Sequence, residues 1–242
     1  MKTFVKNLFE RFGLVINLKR NLGYLDSFKI LNSLNKNQNP VIFDIGACDG
    51  SSIQDFKLSF PNSHIYSFEP FSASFKNAEN IASCYSNVNV YQLALSNTNG
   101  QKDFFVNKSK ATNSLFKPKI TSSFIDDHAV LEECIEVPTI TLDSFVKEHS
   151  IENIDILKLD VQGGELMVFE GAKETLQNKK INIVYTEVWL LEGYEGQPLY
   201  HDIAALLSTY GYHSFGIYNM HYRKNDGHFL WGDAIFYKMD DK

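Results

Sequence analysis

Four acidic residues punctuate the apolar runs of this chain: Asp44 within Val41-Ile42-Phe43-Asp44-Ile45-Gly46, Glu69 after His64 to Phe68, Asp160 after Ile154 to Leu159, and Glu187 near the end of Ile181 to Trp189. Runs of this kind, rich in β-branched and aromatic residues, read as buried parallel strands. Each acid then stands at or near a carboxyl end, where open α/β sheets bind ligands. Gly46 and Gly50 let the backbone turn tightly and come close to a ligand, and Ser51 to Leu58 opens a helix whose free N–H groups face it. Asp44 would sit badly against a pyrophosphate but well beside the amino group of a cationic ligand. Glu69 falls where a Rossmann-like fold puts the carboxylate that accepts both hydroxyl protons of a ribose. The motif Gly-x-Gly-x-x-Gly is absent, so a dinucleotide fits poorly and a nucleoside fits well.

The elements that must carry these acids alternate. Phe28 to Leu34 reads as a short helix and Asn35 to Pro40 as the loop entering the sheet. After the first strand and helix, Pro61-Asn62-Ser63 breaks the chain before the second strand, Phe75 to Ala82 reads as a helix, and Val88 to Leu95 as the third strand. Between Gly100 and Pro138 the pattern weakens: Lys102 to Val106 reads as a strand, and Lys108 to Leu115 as a polar loop holding Asn113 and Ser114, an insertion of the kind that shapes a site or simply covers surface. Thr141 or Asp143 caps a helix. The fourth strand, Ile154 to Val161, leads through Gln162-Gly163-Gly164-Glu165 into a helix reaching about Leu176. Ile181 to Trp189 is the fifth strand, Leu199 to Tyr210 a helix, and His213 to Tyr218 with Ala234 to Lys238 a closing pair. Right-handed crossovers bring Asp44, Glu69, Asp160 and Glu187 to one edge of a parallel sheet.

The chain has 242 residues, enough for one α/β domain with additions. A net charge of −6 argues against nucleic acid as a partner. Cys48, Cys84 and Cys134 are an odd number without metal-ligand spacing, which points to a reducing, cytoplasmic setting and no zinc. Met1 to Arg20 carries five basic residues against Glu10, with Phe4, Val5, Leu8, Phe9 and Phe12 at helical spacing. It reads first as a helix packed on the domain. The second reading lays residues 1–20 on an anionic surface at the inner membrane face. The division is a helical extension over residues 1–39 and a catalytic domain over 40–242; the sequence carries no signal for an oligomeric state.

Five ordered blocks, Asp44-Ile-Gly-Ala-x-Asp-Gly, Phe68-Glu-Pro70, Thr141-Leu-Asp, Ile156-Leu-Lys-Leu-Asp-Val-Gln-Gly-Gly-Glu165 and Glu170-Gly-Ala, together resemble the FkbM-type methyltransferases. Tyr194-Glu-Gly-Gln197 and Asp233-Ala-Ile-Phe resemble one branch of that family, and the likeness runs from about Pro40 to Tyr237. It implies S-adenosylmethionine as cofactor and a Rossmann-like class I methyltransferase fold: a seven-stranded, mostly parallel sheet with helices on both faces and an antiparallel last strand. Carried over by position, it puts Asp44, Gly46 and Gly50 around the methionine part of the cofactor, Glu69 on the ribose and Asp160 beside the reacting methyl, with Ala47, Asp49, Pro70 and Ala94 among the remaining cofactor contacts. Two residues depart from the pattern, Cys48 where many members have Asn and Gln162 where many have Glu.

The resemblance further implies methylation of an oxygen, most often on sugars or polyketide-like products, with peptide amides as the nitrogen alternative and a non-catalytic adenosyl-binding module as a third reading. We expect the acceptor to be a sugar hydroxyl of a glycan or glycosylated metabolite. An alcohol must lose its proton as the new bond forms. Asp160, Glu187 and His201 are the catalytic candidates, with Asp202 nearby and Lys158 orienting Asp160. His221 and His228 read as surface or core residues. Asp160, Glu187 and Asp233 as a divalent-metal site is the minority reading, and the assignment is no metal. Trp189, Tyr194, Tyr200, Tyr218, Tyr222 and Trp231 follow the fifth strand closely enough to offer rings on which a sugar could stack.

Overall fold

The computed structural model describes residues 23–119, 129–223 and 225–238; the basic segment read over residues 1–20 lies outside them. The first described helix, α1 (Tyr24–Leu34), precedes β1 (Val41–Ile45), α2 (Ser51–Ser59), β2 (His64–Phe68), α3 (Ser72–Ala82) and β3 (Val88–Tyr91). Then come β4 (Ala94–Leu95), β5 (Gly100–Asn107), a 3-10 turn at Lys110–Thr112, β6 (Leu131–Ile140), α4 (Leu142–Glu148) and β7 (Ile154–Leu159). The chain closes with α5 (Glu165–Glu170), α6 (Lys173–Gln177), β8 (Ile181–Trp189), α7 (Tyr200–Thr209), β9 (Tyr212–Tyr222) and β10 (Phe229–Lys238).

Seven strands form one sheet in the order β3-β2-β1-β7-β8-β10-β9, and only β10 runs antiparallel to its neighbours. Alternation along β1 explains the two cores. Phe43 and Ile45 point into one layer with Phe68, Phe145, Leu157, Val168 and Phe169, under α4 to α7, while Ile42 points into the other with Phe28, Ile53, Phe56 and Ile65, under α1 to α3. Phe145 is the hub of the first layer, its ring meeting Phe43, Phe68, Tyr91 and His149. In the second layer Phe28 of α1 lies 5.2 Å from Phe56 and 6.2 Å from Tyr185 between ring centroids.

Three local readings are corrected. Val88 to Leu95 is not one strand: Leu93 N–H turns back to the Tyr91 carbonyl, and β4 leaves the main sheet to pair with β6 in a second sheet of order β4-β6-β5. Non-local pairing made that sheet, which is why period-two patterning over residues 100–138 was weak. The helix read to about Leu176 is two helices with a break at Gly171, where the Ser96 carbonyl oxygen comes so close that an added Cβ would stand 2.1 Å from it. Of the two proposed caps each has its own helix: Thr141 Oγ1 accepts from Ser144 N–H on α4, while Asp143 accepts from Glu174 and Thr175 N–H at the start of α6. No helix among the described residues is long and apolar enough to cross a membrane.

Gly171 thus holds β4's approach to the α5–α6 junction at backbone contact. Gly171→Ala should lower stability by about 1–3 kcal/mol in urea unfolding, the scale of overpacking a tight site; a loss under about 0.5 kcal/mol would mean that the two segments separate freely.

Candidate active site

Asp44 and Lys158 are register partners on β1 and β7 and therefore project from the same face of the sheet. Asp44 is fully buried, and Lys158 Nζ stands 3.0 Å from its Oδ1. The hydroxyls of Ser52 on α2 and Ser67 on β2 donate to Asp44 Oδ2, at 2.7 and 3.3 Å. Lys158 also donates to the Gly46 carbonyl at 3.0 Å and lies 3.9 Å from Asp160 Oδ2. Burial would lower the Lys158 pKa, but Asp44 and then Asp160 outweigh it and hold the ammonium above the ordinary lysine range. Lys158 is therefore first the partner of Asp44, and only at longer range that of Asp160. Asp44 lines neither of the site's two cavities, and its charge is matched inside the sheet.

After β1 the chain needs Gly46. Its φ is +82°, and a Cβ would fall 1.9 Å from the Asp160 carbonyl oxygen, so this turn and the end of β7 touch backbone to backbone. Gly46 and Ala47 N–H both donate to the Phe68 carbonyl, and Cys48 N–H donates to Glu69 Oε2 at 2.9 Å. Phe71 N–H takes Glu69 Oε1 at 2.9 Å, which leaves each carboxylate oxygen one further acceptor position. Burial lifts Glu69 to about 7, those two N–H donors pulling the other way. A first cavity of about 670 Å³, counting space open to solvent, opens here. Glu69, Pro70 and Asp160 meet apolar walls from Phe68, Leu93, Ala94, Leu95, Phe104 and Leu115. Asn113 completes the lining; its Oδ1 accepts from Asn107 N–H, whereas its Nδ2 is buried without a partner.

Beyond β7 the chain turns through Gln162, at φ +53°, and Glu165 braces the turn by accepting from Val161 and Gly163 N–H. Burial raises Glu165 to about 7 against those donors. Gln162 Nε2 donates both to Asp160 Oδ1 at 2.8 Å and to Glu187 Oε2 at 3.0 Å. Its Oε1 lies 2.9 Å from the buried Tyr194 hydroxyl. A Glu at this position could not donate, so the departure at Gln162 is what joins the two acids. Trp189 Nε1 adds a second bond to Glu187 Oε2 at 2.8 Å. Burial, then Asp160 and Glu165, hold Glu187 well above the usual carboxylate range.

A second cavity, about 790 Å³ including its open mouth, lies on the other side of this wall. Gly46, Cys48 and Asp160 line both cavities; the second adds Asp55, Lys158, Glu187, Asn219, Asp233 and Tyr185 among its polar lining. Asp233 is the register partner of Glu187 across β8 and β10. Tyr185 OH and Asn219 Nδ2 donate to its Oδ2 at 3.0 and 3.2 Å. Burial, followed by Asp160, pushes Asp233 up to about 6 in spite of those donors. Among the described residues no three His, Cys, Asp or Glu side chains converge into a set that could hold a metal ion, the grouping of Asp160, Glu187 and Asp233 included.

The fold thus brings Gly46, Ala47, Glu69, Pro70, Ala94, Asp160 and Glu187 to the two cavities and leaves others out. Asp49 caps the start of α2, accepting from Ser51 N–H, and Gly50 packs on α3, where a Cβ would stand 2.8 Å from Ala78 Cα. His201 is exposed on α7, lines neither cavity and sits 3.6 Å from Asp202, because its position in the first turn of α7 points it to solvent. The aromatic group is corrected as well: Trp189, Tyr194 and Tyr218 are buried, Trp231 stacks between Trp189 and His221, and none of the six rings lines either of these two cavities. Asp233, read from the sequence as a candidate metal ligand, lines the second cavity, while Asn113 of the polar loop and Gln162, the departure from the family pattern, line the first.

With this geometry in hand, comparison with known proteins is specific. Residues 44–214 match the family model described as the methyltransferase FkbM domain. The 2-O-methyltransferase NoeI of Sinorhizobium fredii is 30% identical over 187 residues, covering 74% of this chain and 75% of that protein. The solved structure of SMU.1697c from Streptococcus mutans, in complex with SAH, superposes with a TM-score of 0.52 at 9% identity, over 92% of this chain and 99% of that one. At that identity the likeness speaks for the fold, which is the Rossmann-like class I methyltransferase fold.

The pair at the centre of the sheet makes its own prediction. Lys158→Met leaves Asp44 buried without its counter-charge and should cost about 3–5 kcal/mol of unfolding free energy, much of it recovered in the double variant with Asp44→Asn. Because the Lys158 pKa is raised, its contribution is whole below the ordinary lysine range and is lost only as pH rises through the raised value. Additive losses in the double variant would show that the two charges do not act as a pair.

Proposed function

Because the chain belongs to the FkbM family of methyltransferases, which use S-adenosylmethionine, we propose that it methylates a sugar hydroxyl of a glycan or glycosylated metabolite. The observation that carries this reading is the shared wall. Gly46, Cys48 and Asp160 stand between one cavity suited to a nucleoside and another lined with hydrogen-bonding groups, so a group carried by the first can be handed to a molecule in the second.

The first cavity fits the cofactor on its own chemistry. Glu69 has one acceptor position to spare on each oxygen for a ribose diol. The apolar slot suits a planar purine, and the partnerless Asn113 Nδ2 is a donor for a ring nitrogen. When bound, the cofactor supplies a methyl carbon on a sulfonium, which needs no further activation. Asp160 offers a carboxylate beside that positive charge, held by Gln162 from one side and Lys158 from the other. In the second cavity Asp55, Asp160, Glu187 and Asp233 can accept from an acceptor's hydroxyls, and Asn219 and Tyr185 can donate. The likeness to a 2-O-methyltransferase supports oxygen over nitrogen as the methylated atom.

Two measurements test the reading. Calorimetry should find binding of S-adenosylmethionine and S-adenosylhomocysteine, weakened by about 1.5–3 kcal/mol in Glu69→Ala. The ionised form of Glu69 accepts best and its pKa is about 7, so affinity should rise as pH is taken upward through that value. Preference for NAD, or a flat pH response with an unaffected Glu69→Ala, would remove the cofactor assignment. For the acceptor, methyl-labelled donor should be offered with a glycan pool, a peptide pool and small phenols. Label on carbohydrate oxygen is expected; label on backbone or side-chain amides alone would replace the sugar by a peptide acceptor.

A further inference from the structure

Four carboxylates border the second cavity, and an alcohol acceptor needs one of them to take its proton. We propose that Asp233, anchored through Oδ2 by Tyr185 and Asn219, is that general base, and that Tyr185 is its positioning residue. The inference rests on the methyl-transfer reading above and goes further by choosing among its acids.

The choice follows from what already occupies each carboxylate, and Asp55 has the Tyr24 hydroxyl as its hydrogen-bond partner. Glu187 has two donors on Oε2, Trp189 and Gln162, and burial together with Asp160 and Glu165 beside it raises its pKa well above the usual carboxylate range. Asp160 forms the wall to the first cavity and is committed on both sides, Oδ1 to Gln162 and Oδ2 toward Lys158. Asp233 differs. Both of its hydrogen bonds fall on Oδ2, while Oδ1 accepts none from a described residue, and the side chain lines the second cavity without reaching the first. The charged and titratable groups that face it are Asp160 and Glu187, which oppose its charge, Lys158 with Asp44 behind it, and Tyr24, Asp55 and Tyr185 from α1, α2 and β8. Its pKa of about 6 leaves it ionised at neutral pH yet close enough to accept a proton well. Neighbouring acids whose environments raise their pKa values to different extents can take different roles.

The step balances simply. The acceptor oxygen forms its bond to the methyl carbon as the carbon–sulfur bond breaks, the electron pair leaves with sulfur, and the hydroxyl proton passes to Asp233 Oδ1 and then to water. Tyr185 stabilises the carboxylate by donating to Oδ2, and a donor there lowers the pKa of the base.

The test joins kinetics on methyl glycosides of common hexoses with carbon-13 NMR titration of the side-chain carboxyls in the protein bound to S-adenosylhomocysteine. Asp233→Asn should lower kcat by about 10²–10⁴-fold, the range of a lost general base, with cofactor-product affinity kept within about twofold. Wild-type rate should rise with pH through about 6, the Tyr185→Phe variant should move that limb upward, and Glu187→Gln should keep it. A kcat for Asp233→Asn within about threefold of wild type, or loss of the limb in Glu187→Gln alone, would overturn the proposal. If no glycoside takes the methyl group, the sugar reading fails and the NMR still judges Asp233. A carboxyl signal titrating near 6, absent in Asp233→Asn and shifted upward in Tyr185→Phe, supports the assignment; a signal that Tyr185→Phe leaves in place sinks it.

Discussion

A charged pair inside a sheet is costly unless both partners are fully hydrogen-bonded, since taking each ion out of water costs several kcal/mol. Two serine hydroxyls on Asp44 Oδ2 and the Gly46 carbonyl on Lys158 offset that cost in part, Asp44 Oδ1 having only the ammonium beside it, and the pair so held constrains everything above it. The pair ties β1 to β7, draws the Gly46 turn down onto the ammonium, and sets the Asp160 backbone against Gly46 at a distance only glycine allows. The wall between the two cavities is therefore a consequence of the pair. Asp44 lines neither of these cavities and is locked in place, as suits a scaffold.

Above the pair, a second network fixes the acids that face the cavities. Gln162 holds Asp160 and Glu187 with one amide nitrogen and reaches Tyr194 with its oxygen, while Ser114 donates to the Gln162 carbonyl. The strained φ at Gln162 is kept by these partners and by Glu165 beneath the turn. Tyr194 in turn lies in a loop ordered by Gln197, whose Oε1 accepts from Gly193 and Tyr194 N–H. The branch motif from Tyr194 to Gln197 thus acts through the orientation of two carboxylates. Its residues do not themselves line either cavity.

The small sheet of β4, β5 and β6 has a comparable task at the other cavity. Phe104 of β5, Lys110 and Ala111 of the 3-10 turn, and Asn113 and Leu115 after it form the outer wall over Glu69. Asn107 donates its backbone N–H to Asn113 Oδ1 and its side-chain amide to the Thr112 carbonyl, so the loop is built on its own amides as well as on the main domain. An insertion held in this way gives the nucleoside cavity a rigid side without lengthening the central sheet.

Much of this was legible in the residues alone. Period-two runs ending in acids, a glycine turn and five ordered blocks determined the fold class, the family, and the positions of Glu69 and Asp160, because those features are local: each is set by neighbours a few residues away. The tertiary structure decided what depends on register and on side chains meeting from distant elements. Period-two alternation put Lys158 on the same face as Asp160, but only the β1–β7 register set it opposite Asp44; only the β8–β10 register set Asp233 opposite Glu187. The same non-local packing buried Trp189, stacked Trp231 between it and His221, and turned His201 to solvent. Which strand lies beside which, and how far along, is settled by the competition of both cores for burial across the whole chain, and no short window of sequence records its outcome.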